Sequence, residues 1–408
     1  MPRLRLGTPF WVDKSEVPAA RFPALRRQIS ADLAVVGGGI TGAAIAWRFA
    51  RAGVRVALLD GARAGRGNTA ASTALLMQEP DTDYAELADR YGETRTRRIW
   101  QLSRIATREM VRTIRQLDIT CDLARRDSVY YAPDADGAAR LEREHRRRRA
   151  AGFGGRWLDG LQLEKETGID AAAAIRTRGN AQVDPYAACA GFMHAAARRG
   201  ALIFERSAVH RIAVSRDHVT AITGRGSVRA DRVIVATGYA TPYFKPLLGR
   251  FTMRNTYVVV TRPLTASERR RLGLGAVMLW DTDRPYYYAR WTSDHRLMLG
   301  GADRPQVKGS RRDRALREGA KRVRDHFTSL YPMLADIKDE YAWEGLFAQT
   351  PDGLPCIGPH RRYPRHLFAL GYGGNGMTFG FLASRLLLDW YLGKQTADHD
   401  LFAFGRLR

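Results

Sequence analysis

Apolar residues in this chain gather in short runs cut by glycine. Leu33–Val36 is apolar throughout, too short for a helix and followed by three glycines, and it reads as a buried parallel strand. Over residues 40–52 apolar positions recur at helical spacing among helix formers, Gly53 stops them, and residues 54–59 read as a second strand closed by Asp60. Helical spacing returns over 81–117 with a break near Gly92. There Ile99, Leu102, Ala106, Met110, Ile114 and Leu117 share one face, and Arg97, Arg104, Arg108 and Arg115 stack on the other. Residues 128–132 read as a strand, 137–151 as a basic helix, 185–199 as a helix with proline at its first position, and 201–204 as a strand. A further apolar strand, 232–236, ends in Thr237-Gly238. The parallel sheet is thus revisited after a long excursion, which predicts interleaved domains.

Strand-like segments dominate the next stretch, at 256–261, 277–280, 285–291 and 296–300, the last two joined by the turn 292–295. Alternation places Tyr286, Tyr288 and Arg290 on one face, Tyr287 and Trp291 on the other. A charged helix at about 311–330 and a strand around 342–347 follow. Glycines 371, 373, 374 and 376 then lead into a nearly all-apolar helix, which is expected to be buried because it is short and glycine-interrupted. Residues 1–30, with Pro9-Phe10-Trp11 and prolines at 18 and 23, read as an irregular arm that packs on the body.

The opening unit carries chemistry. Gly37, Gly39 and Gly42 fall at G-x-G-x-x-G spacing between a strand and a helix: the first permits a tight turn, the second a close backbone approach to a pyrophosphate, the third close helix–strand packing. Phosphates then sit at the helix N-terminus, beside Ile40 and Thr41, where unpaired N–H groups and the macrodipole favour an anion. Asp60, 18 residues past Gly42, stands where an acid accepts from a ribose hydroxyl. The small-residue loop 65–72 leaves backbone N–H groups free to line a second anion contact. Glycines before the 370–392 helix make a third such seat.

Charge adds one question. The balance is +24, and 59 of the 66 basic residues are Arg. That surplus raises attraction to nucleic acid, anionic lipid or a partner protein, although abundant Arg, Ala and Gly throughout also match a codon-usage bias. The arginine stripe and the run 146–149 read as a solvated face, with partner docking as the alternative. Cys121, Cys189 and Cys356 are far apart and form no C-x-x-C pair, which argues against disulfides or zinc and fits a reducing cytoplasm. Neither a secretory h-region nor a run of about 20 apolar residues is present. No metal site is expected.

Together GGGITG at 37–42, the loop 65–72, Val235-Ala236-Thr237-Gly238, Thr350-Pro351-Asp352-Gly353-Leu354-Pro355-Cys356-Ile357-Gly358 and GYGGNGMTFG at 371–380 resemble the FAD-dependent oxidoreductases of the D-amino-acid oxidase, glycine oxidase and sarcosine oxidase family. The resemblance implies an α/β plus α+β architecture, a Rossmann-like FAD-binding domain interleaved with an antiparallel-sheet substrate domain. Its expected boundaries are an arm at 1–30, an FAD-binding domain from 31–80, 181–240 and 346–408, and a substrate domain from 81–180 and 241–345. Implied cofactor contacts are Gly37, Gly39, Ile40, Thr41, Gly42 and Asp60 for the ADP half. Gly67, Asn68, Thr69, Ala70 and Ser72 would line the middle, with Val209, Ala236, Thr237 and Gly238 nearby. Gly374, Asn375, Gly376, Met377 and Thr378 would meet the isoalloxazine edge, where a helix N-terminus stabilises charge on the reduced ring.

The implied reaction is hydride transfer from the carbon beside an amine nitrogen to flavin N5, followed by imine hydrolysis, with oxygen or another acceptor reoxidising the flavin. Candidate pocket residues are Tyr286, Tyr288, Arg290, Trp343 and Phe347. Three positions depart from the family: Phe347 replaces an arginine that grips a substrate carboxylate, Gly345 a cysteine that tethers flavin, and Met298 a lysine that activates oxygen. The FAD is therefore expected to be non-covalent. The missing arginine and the Phe10-Trp11 arm lean toward amines such as conjugated polyamines of the γ-glutamyl-putrescine type. Competing expectations are a flavoprotein subunit that needs a partner for catalysis, and an RNA-directed flavoenzyme, for which no RNA-binding motif is present.

Overall fold

A computed structural model describes residues 4–14 and 22–407. At its centre a six-stranded sheet runs Cys356–His360, Tyr363–Leu370, Arg232–Gly238, Leu33–Val36, Val56–Leu59, Leu202–Phe204, parallel except at the first pair. Alternate residues of its central strand bury on opposite faces, as the two-residue period requires. Leu33 and Val35 join a core with Ile45, Phe192 and Leu382 of the helices Ile40–Arg51, Pro185–Ala197 and Gly376–Tyr391. Ala34 instead joins Ile212, Val219, Ala221 and Val228 of a four-stranded sheet, Val209–Val214, Val219–Thr223, Ser227–Ala230 and Gln28–Ser30. Both faces are covered, which is why these strands are continuously apolar.

A second, ten-stranded sheet is mixed rather than purely antiparallel. Its main path runs Arg5–Leu6, Asp339–Gln349, Thr252–Thr261, Leu297–Pro305, Tyr288–Trp291, Val277–Asp281, Ala124–Ala132, Ala173–Gln182, Leu75–Leu76, and Arg156–Asp159 pairs with Ala173–Gln182. Arg5–Leu6 and Val277–Asp281 pair in parallel with their neighbours Asp339–Gln349 and Ala124–Ala132. The helix Arg312–Leu330 covers one face through Leu316, Val323 and Phe327.

Several sequence expectations are revised. The 285–291 strand pairs only from Tyr288, because Pro285 has no N–H to donate and the Tyr287 N–H turns back to the Asp281 carboxylate. The break near Gly92 is where it was expected: the helices are Tyr84–Tyr91 and Glu93–Gln116, parted at Gly92 with φ +81°, and the start moves to Tyr84. Ala173–Gln182 escaped the periodicity because its sequence, AAIRTRGNAQ, is polar in its second half. The arm is less irregular than its prolines suggest: Arg5–Leu6 pairs with Tyr341 and Ala342, and the helix Phe10–Lys14 buries Phe10 and Trp11. Pro18 lies outside the described residues. All three cysteines are buried and free. Among the described residues no helix is long and apolar enough to cross a membrane.

Candidate active site

The strand Leu33–Val36 ends at Gly37, whose φ of +112° suits glycine alone. A Cβ here would lie 2.5 Å from the Ala236 carbonyl oxygen, and one on Gly42 would lie 1.9 Å from the Gly37 oxygen. Turn and helix are therefore locked together by backbone contact. The helix starts at Ile40 behind Gly39, and no side chain caps it. Asp60 closes the neighbouring strand and accepts from the Gly38 N–H at 2.7 Å and the Ala62 N–H at 2.8 Å, fixing the turn from the other side.

A cavity of about 540 Å³ opens from this turn, within the roughly 300–1,000 Å³ of small-molecule and cofactor sites. Its middle runs along Gly67, Asn68, Thr69 and Ser72 on one side and Val209, Ala236, Thr237 and Gly238 on the other. The 65–72 loop is held from behind by two indoles. Trp343 Nε1 donates to the Ala71 carbonyl at 3.0 Å and Trp11 Nε1 to the Ser72 carbonyl at 2.8 Å. Thr69 Oγ1 accepts from the Ile40 N–H at 2.9 Å, which joins the loop to the helix start.

The far end belongs to the second sheet and to the helix Gly376–Tyr391. Gly374, Asn375, Gly376 and Met377 line it, bringing that helix N-terminus to the cavity. Segment 77–81 anchors the approach: Asn375 Nδ2 donates to the Glu79 carbonyl, Thr378 Oγ1 to the Met77 carbonyl, and the Gly374 N–H to Asp81 Oδ2 at 2.5 Å. Facing it are Trp280, Tyr286, Tyr288 and Phe347, with Asp81 and Asp303, while both Glu79 carboxylate oxygens accept from Ser128 and Asn180. Burial pushes Asp81 up to about 6, against hydrogen bonds from the Gly374 N–H and Tyr286. Burial likewise pushes Asp303 up to about 6, against a hydroxyl contact from Thr256. Burial also raises both Tyr286 and Tyr288 above the usual phenol range, so they stay protonated donors. Among the described residues Arg211 is the one arginine lining the cavity, beside Val209, and no lysine lines it.

Two candidate pocket residues sit elsewhere. Arg290 continues the face of Tyr288 but passes beyond the cavity, donating to the carbonyls of Ala74 and Val183 and packing 5.0 Å from the Trp11 ring. Trp343 is 1% exposed and serves the loop from behind. Neither lines the cavity, because the 65–76 segment lies between. Gly42, Ala70 and Thr378 also stand behind the wall, whereas every other residue named above as a cofactor contact lines it. Met298 is buried against Phe10, Trp11 and Trp343.

Asp81, Trp280, Thr256 and Asp303 were not singled out in the sequence. Asp303 lies past Gly300, where the strand pattern fades, and lone acids in a charged chain give no signal. Arg104 and Arg108 of the stripe and Arg148 of the 146–149 run border one separate recess together with Arg178. Arg148 is buried and paired with Glu144 and Asp83, while Arg104, Arg108 and Arg178 have no ion pair among the described residues.

Glycine-walled at one end, helix-capped at the other and lined by uncharged backbone between, the cavity fits an extended dinucleotide such as FAD. Similarity to known proteins agrees. Gamma-glutamylputrescine oxidoreductase of Escherichia coli is 27% identical over 94% of this chain and 88% of its own. Glycine oxidase of Bacillus licheniformis is 25% identical over 91% and 96%. Among solved structures, glycine oxidase from Geobacillus kaustophilus superposes with a TM-score of 0.74 at 22% identity, covering 90% of this chain and 96% of that one. L-proline dehydrogenase from P. horikoshii gives 0.76 at 17% identity, covering 95% and 100%. The family model for FAD dependent oxidoreductases, DAO, matches residues 32–390, and the chain accordingly belongs to that family and is an FAD-dependent enzyme.

Proposed function

We propose that this enzyme oxidises a C–N bond of an amine or N-substituted amino acid, with FAD held non-covalently. The observation that carries the reading is the make-up of the cavity's far end, where aromatic rings and carboxyl groups gather and, among the described residues, no lysine or arginine lines the wall beside them. Phe347 stands there on the strand Asp339–Gln349, and an apolar ring offers a substrate carboxylate no partner. Bound in the cavity, FAD supplies the hydride acceptor for the C–H beside an amine nitrogen, and water hydrolyses the imine that results. The chain's own part is positional. Trp280 and Phe347 desolvate an amine and favour its neutral form, which is the one that can give up hydride. Tyr286 and Tyr288 remain hydroxyl donors at working pH. The helix N-terminus at Gly376 supports negative charge on the cofactor edge. At Gly345 there is no side chain to form a covalent tether, and a Cβ there would stand 3.2 Å from Thr256 Cγ2.

An anaerobic titration of the yellow holoenzyme with a panel of amines and N-methyl amino acids tests this. Bleaching of the oxidised flavin band by an amine supports the reading, and the rate of recovery in air separates an oxidase from a dehydrogenase. A flavin reducible by dithionite but by no amine removes the reading. That outcome would favour catalysis dependent on a partner, for which Arg104, Arg108 and Arg178, without an ion pair among the described residues and around one recess, are the supporting observation.

A further inference from the structure

Asp303 does not reach the cavity by strand geometry alone. Along the pairing of Thr252–Thr261 with Leu297–Pro305, Asn255 opposes Arg304 and Tyr257 opposes Gly301, so Thr256 faces two residues, Ala302 and Asp303. This is a β-bulge, a device that re-aims side chains. Gly301 has φ +138° and Ala302 φ +55°, a left-handed conformation that alanine adopts only under constraint. The result places a carboxyl group on the wall of an aromatic-lined cavity.

Among the described residues no salt bridge reaches that carboxyl group. Oδ1 is buried and has no hydrogen-bond partner. Asp81 repels it, Thr256 contacts it, and Tyr286 and Tyr288 stand beside it as neutral phenols. Arg254 attracts it weakly, but does not line the cavity and donates to Gln349 Oε1 at 3.0 Å. Nearby Arg304 is directed to Glu318. A buried carboxylate is costly unless something positive meets it.

We propose that Asp303 is the seat of a non-reacting ammonium group of the substrate, so that the enzyme's preferred substrates are diamines or polyamines. This rests on the amine-oxidation reading above and narrows it. A reacting amine must be neutral to lose hydride, whereas a carboxylate partner holds an amine protonated. The nitrogen at Asp303 is therefore a second one, and the cavity discriminates by what lies at the far end of the substrate. Asp303 acts as a specificity determinant, with Thr256 positioning it across the bulge.

Three molecules of similar length test this: putrescine, butylamine, and γ-aminobutyrate, which carries a carboxylate where putrescine carries its second ammonium. Anaerobic calorimetry on the FAD-loaded enzyme reads binding whether or not the flavin is reduced, and the flavin band reads reduction separately. Putrescine is expected to bind at least tenfold more tightly than butylamine, about 1.4 kcal/mol, with γ-aminobutyrate weakest. In Asp303→Asn the putrescine-to-butylamine ratio is expected to fall to near one, and Asp303→Glu to restore part of it, with flavin content confirming that both variants fold. Putrescine and butylamine binding alike in the wild type would overturn the proposal, as would an Asp303→Asn enzyme that keeps the ratio. If butylamine reduces the flavin but the ratio is near one, only this proposal fails. If putrescine binds through Asp303 and no amine reduces the flavin, the amine-oxidation reading fails instead.

Discussion

The two ends of the cavity are built by opposite means. At the glycine end the wall is backbone from a few contiguous motifs, and its precision comes from missing side chains: a Cβ on Gly37 would meet the Ala236 carbonyl, and one on Gly42 the Gly37 carbonyl. At the reactive end the wall is side chains from scattered segments, Asp81, Trp280, Tyr286, Asp303 and Phe347, brought together by one mixed sheet. Recognition by backbone is fixed and intolerant of substitution. Recognition by side chains can be changed one residue at a time.

Breaking the glycine end has the largest expected effect. Gly42→Val pushes a branched side chain into the Gly37 carbonyl, and the expected outcome is a destabilised, flavin-free protein, losing about 3 kcal/mol of stability, read from flavin absorbance per protein after desalting. Next is Arg290→Met. It leaves the Ala74 and Val183 carbonyls without their buried donor, so a loss of about 2 kcal/mol is expected in denaturant melts, with the order of substrate preference unchanged. A shift in preference would return Arg290 to the reactive end.

The reactive end predicts an effect of opposite sign. Asp303 titrates near 6 when folded, above the usual 3.8. Its raised value means that ionisation opposes folding: the cost is full above about pH 6 and vanishes as pH falls below about 4. Asp303→Asn should therefore stabilise the substrate-free enzyme by about 1–2 kcal/mol at pH 8 and hardly at all at pH 4, measured by urea melts at both pH values. The smallest effect is expected from Trp343→Phe, which deletes one indole donor to the Ala71 carbonyl. About 1 kcal/mol of stability and a several-fold weaker hold on FAD are expected, with little change in turnover once FAD saturates.

The same contrast explains what was legible in the sequence. Gly37, Gly39, Gly42 and Asp60 announce themselves because the turn requires those residue types at that spacing. The loop 67–72 and the glycines before the Gly376–Tyr391 helix were readable for the same reason. Tyr286 and Tyr288 reach the cavity, yet Arg290 does not, because alternation gives the face of a strand and not where a neighbouring segment seals it off. Asp303 was illegible, since its direction is set by a bulge that depends on the register of two strands. Thr350-Pro351-Asp352 proved to be an anchor: Asp352 pairs with Arg406 at 2.8 Å and accepts from Tyr91 at 2.7 Å.

The arm and the two indoles also bear on the order in which the protein is made. Trp11 and Trp343 hold neighbouring carbonyls of one loop, and Tyr341 donates to Asp13 across 328 residues of sequence. A ribosome delivers the arm long before the strand Asp339–Gln349 that it packs on. The loop 65–72 is therefore without its full backing until that strand has emerged, and a nascent chain with a finished glycine turn still has an unfinished cavity wall.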